Sequence, residues 1–331
     1  MVHADPKRTL LAVFAHPDDE AFGSGGMLAL NAAKGHCVAL VTATRGEVGE
    51  ISDTALATPE NLGQVREGEL RAAADALGVE DLTILGYRDS GMDGTDDNAN
   101  PTALANADEN EVVGSLVEII RRLRPDAVVT FDPNGGYGHP DHIAIHKHTV
   151  AAFHASGDTS KFDGTDEPWS PSRLYYAVFP KSIFTTLRQA LIAHGEDTSD
   201  FDRFEEADIG WDDDKIHAVI DVSDAIEAKW TALNCHRTQF GADNPFNRLP
   251  AEVTKALMSQ EYLVQAFPEP PDGVAYTDVF EGFLVGSGSL SIKRHHPLPQ
   301  LVRGRRRVRR PPFNDRAASG GPATGTEASR H

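Results

Sequence analysis

Cysteine is scarce in this 331-residue sequence, and its scarcity excludes two kinds of site. The two cysteines, Cys37 and Cys235, stand far apart and do not form a CxxC motif. They therefore supply neither a disulfide framework nor a zinc site built from thiolates. A metal site in this chain has to use nitrogen and oxygen ligands instead.

Long apolar runs are also absent. No stretch approaches the roughly 20 apolar residues that a membrane helix requires. The first apolar run, residues 10–15, is too short for the core of a signal peptide, and His-Pro-Asp-Asp-Glu follows it directly. We therefore expect a cytoplasmic protein that has no membrane partner.

Positive charge is concentrated in the last 46 residues, whereas the rest of the chain is strongly acidic. The formal net charge is −19, but residues 286–331 contain ten Lys and Arg against two Asp and Glu, which leaves −27 for residues 1–285. The negative charge of residues 1–285 repels the phosphates of nucleic acid, so we do not expect nucleic acid to be a partner of this part of the chain. We predict one domain over 1–285 and a disordered basic tail over 286–331, since the tail is rich in Gly, Ser, Pro and Arg.

Apolar runs and helical stripes alternate along the first half of the chain. Runs typical of strands buried on both faces lie at 10–15, 37–44, 82–85 and 127–131. Apolar stripes typical of helices lie between them, at 23–34, 62–77 and 111–123. This alternation predicts an α/β fold with a Rossmann-like, mainly parallel sheet and helices on both faces. The GxGxxG fingerprint is missing after the first strand, so no dinucleotide site is predicted.

The second half of the chain has a weaker pattern. A strand is predicted at 174–179, and helices are predicted at 223–239 and 250–264. A final strand is predicted at 280–285.

Two clusters rich in His and Asp follow buried strands. His16-Pro-Asp-Asp-Glu20 comes after the first strand, and Asp132-Pro-Asn-Gly-Gly-Tyr-Gly-His-Pro-Asp-His142 comes after the fourth. Loops at the carboxyl ends of parallel strands converge on the ligand crevice of an open α/β sheet. We therefore expect an active site there, with both clusters at one rim.

The residue types of these clusters suit a catalytic zinc ion, which takes three protein ligands and keeps one position open. His16, one carboxylate of the Asp18–Asp19 pair and one histidine of the His139-x-x-His142 pair meet that count. Because neighbouring side chains on a turn diverge, one aspartate can ligate while the other takes a proton from the attacking water. The remaining histidine can stabilise an oxyanion or protonate a leaving amine. The pattern indicates a metal-dependent amide hydrolase.

The motifs Ala15-His-Pro-Asp-Asp-Glu20 and Gly138-His-Pro-Asp-His142 resemble those of the zinc-dependent de-N-acetylases related to N-acetylglucosaminyl-phosphatidylinositol deacetylase. The resemblance covers roughly residues 8–285 and implies a de-N-acetylase domain. Within the family, segments 88–95 and 132–139 most resemble the members that deacetylate N-acetylglucosaminyl-inositol in mycothiol biosynthesis. The amidases of mycothiol S-conjugates, other N-acetylglucosaminide deacetylases and a non-catalytic sugar-binding protein stay open as alternatives.

The resemblance also implies roles for individual residues. It makes His16, Asp19 and His142 the ligands of Zn²⁺, although Fe²⁺ suits the same set. Four residues would serve catalysis: Asp18 as general base, His139 as oxyanion stabiliser or acid, Asp141 as the group that orients His139, and Tyr137 as a donor to the substrate carbonyl. Three would bind the sugar and inositol hydroxyls, namely Glu50, Arg66 and Asp89. The implied partner is a small glycoconjugate, and a homo-oligomer is left open.

Overall fold

A computed structural model of the chain describes residues 6–162, 166–199, 209–242 and 244–283. The predicted tail at 286–331 and the predicted domain end at 285 lie outside the described residues.

The centre of the fold is a seven-stranded sheet with the strand order β3-β2-β1-β4-β5-β7-β6. Its strands are β1 (Thr9–Phe14), β2 (Cys37–Thr44), β3 (Asp81–Tyr87), β4 (Ala127–Phe131), β5 (Arg173–Val178), β6 (Ala218–Asp221) and β7 (Gln260–Phe267). Strands β1 to β5 pair in parallel, whereas β7 is antiparallel to both β5 and β6. The predicted mainly parallel α/β sheet is therefore confirmed.

Helices cover both faces of the sheet, as predicted. The described helices are α1 (Asp19–Gly23), α2 (Gly25–Ala33), α3 (Leu62–Leu77), α4 (Glu109–Leu123), α5 (Gly135–Gly138), α6 (Pro140–Ala155), α7 (Lys181–His194), α8 (Ile226–Cys235) and α9 (Ala251–Leu257). Alternate residues of β1 enter two separate cores, one with α2, α3 and α8 and the other with α4 and α6. In the part of the chain that the structure describes, no helix is both long and apolar enough to cross a membrane.

Two predicted elements near the end of the domain are wrong. The helix predicted at 250–264 ends at Leu257, and residues 260–264 belong to β7. Five consecutive residues of β7 are buried, so its apolar pattern lacks the alternation that separates a strand from a helix. The described residues 280–283 of the predicted last strand form turns, and 284–285 lie outside the described residues.

The order of the strands brings the two His/Asp clusters together. Strands β1 and β4 are direct neighbours, and Leu10 pairs with Ala127 in their parallel register. The loops that follow these strands therefore leave the sheet side by side at its carboxyl edge.

Candidate active site

The loop after β1 holds a backbone conformation that is rare outside glycine. Asp18 has a φ of 121°. Its N–H donates to the carboxylate of Glu20 over 3.0 Å, and Arg66 donates to the Pro17 carbonyl over 2.6 Å and to the Asp18 carboxylate over 3.2 Å. Conformations of this kind persist only where surrounding contacts hold them. The turn sends the side chains of Asp18 and Asp19 in different directions.

The loop after β4 is arranged by Asp132, whose Oδ1 accepts the N–H groups of Asn134 and Gly136 over 3.0 and 2.8 Å. Gly135 has a φ of 62°, and a Cβ on this residue would lie 2.6 Å from the Cβ of His142. Only glycine fits there, because the turn packs directly on the start of α6. This contact fixes where His142 projects from the helix.

Three side chains from the two loops converge. The distance from His16 Nδ1 to His142 Nε2 is 3.1 Å. The carboxylate of Asp19 lies 3.6 Å from His16 Nδ1 and 3.4 Å from His142 Nε2. Ligand atoms about 2.0–2.1 Å from a tetrahedral zinc ion stand roughly 3.3 Å from one another. The two ring nitrogens and the Asp19 carboxylate are thus close to the spacing that one ion requires, with Asp19 Oδ2 nearest His16 and Oδ1 nearest His142.

The hydrogen bonds of the two histidines leave their inner ring nitrogens facing each other, where they share a proton or would hold a metal ion. His142 Nδ1 donates to the carbonyl of Gly135 over 3.0 Å, and His16 Nε2 donates to the carboxylate of Asp141 over 3.1 Å. When neutral, each ring then directs a lone pair at the other across 3.1 Å. Two facing lone pairs repel each other unless a proton or a metal ion lies between them. Such partners on the outer ring nitrogens are the usual support of metal-ligating histidines.

Two other groups of described side chains are close enough to be compared with this set. One adds His139 to His16 and His142, and the other joins His16 to Asp89 and Asp141, each with ligand atoms within 4.8 Å of one another. His139 Nδ1, however, accepts the N–H of Asp141 over 3.1 Å, so its other nitrogen carries the proton. The carboxylate of Asp141 already accepts the N–H of Ser90 over 2.9 Å and its hydroxyl. Both groups have fewer free lone pairs than the set with Asp19.

The charges of the candidate ligands are strongly coupled. Burial lowers the pKa of His16, but the carboxylates of Asp141, Asp19 and Asp89 outweigh burial and raise this pKa well above its usual value. Burial would raise the pKa of Asp19, but His142 and His16 lower it overall. Burial lowers the pKa of His142 to about 4, which leaves its Nε2 free of a proton at neutral pH.

Asp18 and His139 flank the three candidate ligands and have the properties of a base and a donor. Burial raises the pKa of Asp18 to about 6, although Arg66 opposes the change. Burial and the positive charge of His16 lower the pKa of His139. The ring of His139 lies 4.6 Å from that of His16, edge to face. A carboxylate with a pKa near the working pH suits general base catalysis.

Asp141 contacts both histidines in different ways. Its carboxylate faces His16, whereas its main-chain N–H donates to His139 Nδ1. The sequence-based expectation that Asp141 orients His139 therefore corresponds here to a backbone contact, which caps α6 and sets the tautomer of the ring.

The predicted catalytic residue Tyr137 and the three predicted substrate-binding residues differ in how accessible they are. Tyr137 is 53% exposed, and its ring lies 5.1 Å from that of His142. Glu50 is exposed on the loop after β2. Asp89 is buried 3.6 Å from His16 Nε2 and accepts the Gly91 N–H, and Arg66 is turned inward toward the loop after β1. The structure therefore opens Tyr137 and Glu50 to a ligand and gives Arg66 and Asp89 protein partners.

Sequence reasoning missed a buried pair beneath Asp18. His236 Nε2 lies 2.6 Å from a carboxylate oxygen of Glu20, and both residues are fully buried. Burial lowers the pKa of His236, but Glu20 outweighs burial and raises it. The other oxygen of Glu20 accepts the Asp18 N–H. The two partners are 216 residues apart, so no local pattern could have identified His236.

Replacing Glu20 with Ala should lower the free energy of unfolding by about 3–5 kcal/mol, because it leaves His236 buried without its partner. Denaturant unfolding of the full chain measures this change. The matched control is Lys7→Ala, which removes an exposed pair with Glu80 and should cost less than about 1 kcal/mol. If Glu20→Ala lowers the free energy of unfolding as little as Lys7→Ala does, the pair of Glu20 and His236 does not stabilise the loop after β1.

Comparisons with known proteins identify relatives of this chain. The family model described as PIG-L, GlcNAc-PI de-N-acetylase, matches residues 11–153. The 1D-myo-inositol 2-acetamido-2-deoxy-alpha-D-glucopyranoside deacetylase of Geodermatophilus obscurus is 38% identical, with 78% of this chain and 91% of the relative covered. The protein of the same name from Acidothermus cellulolyticus is 40% identical, with 83% and 95% covered.

A solved structure shares the fold. The N,N'-diacetylchitobiose deacetylase from Pyrococcus horikoshii matches with a TM-score of 0.55 at 21% identity, covering 78% of this chain and 83% of that chain. At this identity the likeness concerns the fold alone. The sequence relatives decide the family: this chain belongs to the PIG-L family of de-N-acetylases.

Proposed function

We propose that this chain hydrolyses the acetamide of N-acetylglucosaminyl-inositol with a bound Zn²⁺ ion and releases acetate. The observation that carries the proposal is the pair of ring nitrogens of His16 and His142, which face each other over 3.1 Å beside Asp19 and Asp18. The names of the sequence relatives support the substrate. Fe²⁺ would suit the same ligands.

His16, Asp19 and His142 would hold the ion, which when bound polarises the amide carbonyl and lowers the pKa of the attacking water. Asp18 takes a proton from that water as its oxygen bonds to the carbonyl carbon. The C–N bond then breaks, and Asp18 can return the proton to the amine nitrogen. Burial raises the pKa of Asp18, which makes its carboxylate a stronger base than an exposed one.

His139 would act mainly as a hydrogen-bond donor. Since its Nδ1 accepts the Asp141 N–H, a neutral ring carries its proton on Nε2. That proton can be donated to the carbonyl oxygen as negative charge develops on it. The exposed Tyr137, whose ring lies 5.1 Å from that of His142, would donate to the same oxygen.

Substrate hydroxyls would be recognised on the β2 and β3 side of the centre. Glu50 offers an exposed carboxylate there, while Asp89 and Arg66 shape the adjoining loops. A small glycoconjugate is the partner that this proposal requires. A cytoplasmic location and a homo-oligomer stay predictions.

We expect kcat/KM to be at least tenfold higher for N-acetylglucosaminyl-inositol than for N-acetylglucosamine, because a site built to bind hydroxyls loses those contacts with the smaller sugar. Acetate release from both substrates by the full chain measures this ratio. Glu50→Ala should reduce the ratio by about tenfold, which corresponds to about 1.5 kcal/mol for a hydrogen bond to a charged group.

The control variant is Glu60→Ala. It removes an exposed glutamate at the other end of the same loop and should leave the ratio of kcat/KM for the two sugars unchanged. Equal rates on the two sugars would remove inositol from the proposal. No acetate from either sugar, in protein shown to contain metal, would contradict the deacetylase assignment.

A further inference from the structure

A cavity of about 500 Å³ adjoins the candidate centre and is far larger than an acetyl group requires. Asp18, Asp19, Tyr137 and His142 lie along its wall. The rest of the described wall is mainly apolar and includes Phe22, Phe179, Ile183, Trp211, Phe246 and Met258. Pockets of 300–1,000 Å³ typically bury most of a drug-sized ligand, whereas an acetyl group adds a single methyl carbon beyond the carbonyl.

The strand order shows which end of the substrate this cavity faces. The loops with Glu50 and Asp89 follow β2 and β3, on one side of β1 in the sheet. The cavity wall includes residues of β4, β5 and β7, on the other side of β1. The amide carbon reacts between these two sides. If the sugar on the amine side of the amide occupies the polar loops, the acyl side extends into the cavity.

The charged side chains in the cavity wall outside the centre already have partners. Lys229 and Glu261 pair over 2.7 Å and are almost completely buried. Glu261 also accepts the N–H groups of Gly26 and Met27 over 2.8 and 2.7 Å. Asp132 accepts hydrogen bonds from Trp211 and from its own loop. This wall therefore favours hydrocarbon over a polar or charged group.

We infer that this cavity is an acyl-binding pocket, and that the protein hydrolyses glucosamine conjugates carrying linear N-acyl chains of several carbons. The inference rests on the proposed function and extends it from acetate to longer carboxylic acids. The oxygen of water bonds to the acyl carbon, the C–N bond breaks, and the free amine and the carboxylate leave. Water is the only co-reactant.

A series of N-acetyl, N-butanoyl, N-hexanoyl and N-octanoyl glucosaminyl-inositols tests the inference on the zinc-loaded full chain. We expect kcat/KM to rise by up to about fourfold for each added methylene, the equivalent of about 0.8 kcal/mol per buried methylene. The hexanoyl substrate should exceed the acetyl substrate by at least tenfold. A steady fall from acetyl onward would overturn the inference.

Filling the cavity provides a second test. A Cβ at Gly23 would lie 3.8 Å from Phe179 and 3.9 Å from Ala177, so added carbons at 23 or 177 enter the same space without a clash at Cβ. Ala177→Leu should reduce the ratio of hexanoyl to acetyl turnover at least tenfold. If Ala177→Leu does not fold, Gly23→Val provides the same test. Ala72→Leu, on the exposed face of α3, is the matched control and should leave the ratio unchanged.

The outcomes separate this inference from the proposed function. Turnover of the acetyl substrate with falling rates for longer chains would overturn only the acyl pocket. Turnover of long chains without turnover of acetyl would support the pocket and overturn the proposed substrate. An unchanged ratio in folded Ala177→Leu or Gly23→Val would show that the chain does not enter the cavity.

Discussion

Removing metal from the protein with a strong chelator should abolish hydrolysis, and adding Zn²⁺ to the stripped protein should restore it. The reason lies in the ring nitrogens of His16 and His142 and the carboxylate of Asp19, which converge within 3.1–3.6 Å and would hold the ion. Acetate release before and after stripping measures the loss, and elemental analysis measures the metal. Full activity in protein shown to be metal-free would contradict the candidate centre.

Asp19→Ala should reproduce the effect of the chelator at ordinary metal concentrations. Loss of a residue that only supports a ligand costs 10- to 100-fold in metal affinity, so loss of a ligand should cost more than about 100-fold. Competition with a zinc-binding dye measures the affinity. Glu60→Ala again provides the control, because it removes an exposed carboxylate away from the centre.

Asp18→Asn should lower kcat by about 10²–10⁴, the usual contribution of a general base, while the bound metal is retained. Asparagine keeps an oxygen that can accept from Arg66, and it tolerates a positive φ better than most residues. The measurement is kcat together with zinc content. Equal loss of zinc from Asp18→Asn and Asp19→Ala would show that both aspartates are ligands.

The pH dependence separates a base from a structural residue. Because burial raises the pKa of Asp18 to about 6, its unprotonated fraction falls about tenfold for each pH unit below that value. The positive charge of a bound Zn²⁺ ion lowers this pKa, so the kcat/KM of the wild type should decrease only at a pH below about 6. This acid limb should be lost in Asp18→Asn, whereas a variant that only perturbs the fold would keep it.

The strands around the centre could be predicted because both faces of the sheet are covered. Strands β1, β2 and β4 are almost entirely buried, so each appears in the sequence as a run of mainly apolar residues without polar alternation. The same property misled the prediction at β7, where a buried run follows a short helix without a proline or glycine between them. Strand β6 spans only four residues, too few for a pattern.

The convergence of His16, Asp19 and His142 could be predicted because each belongs to a short motif directly after a buried strand. The residues that contact these motifs could not be predicted, because they lie far away in the sequence. His236 contacts Glu20 across 216 residues, and the cavity wall combines side chains from β4, β5 and β7. The inward direction of Arg66 depends on the Gly46 and Pro17 carbonyls, which a helical stripe does not reveal.

The separation of His16 and His142 by 126 residues has a consequence for protein synthesis. A ribosome that adds 5–20 residues per second makes His142 roughly 6–25 s after His16. During this interval the nascent chain has His16 and Asp19 but not His142, the third proposed ligand, and it lacks the β4 strand that brings His142 to them. The proposed centre is therefore complete only after β4 has joined β1.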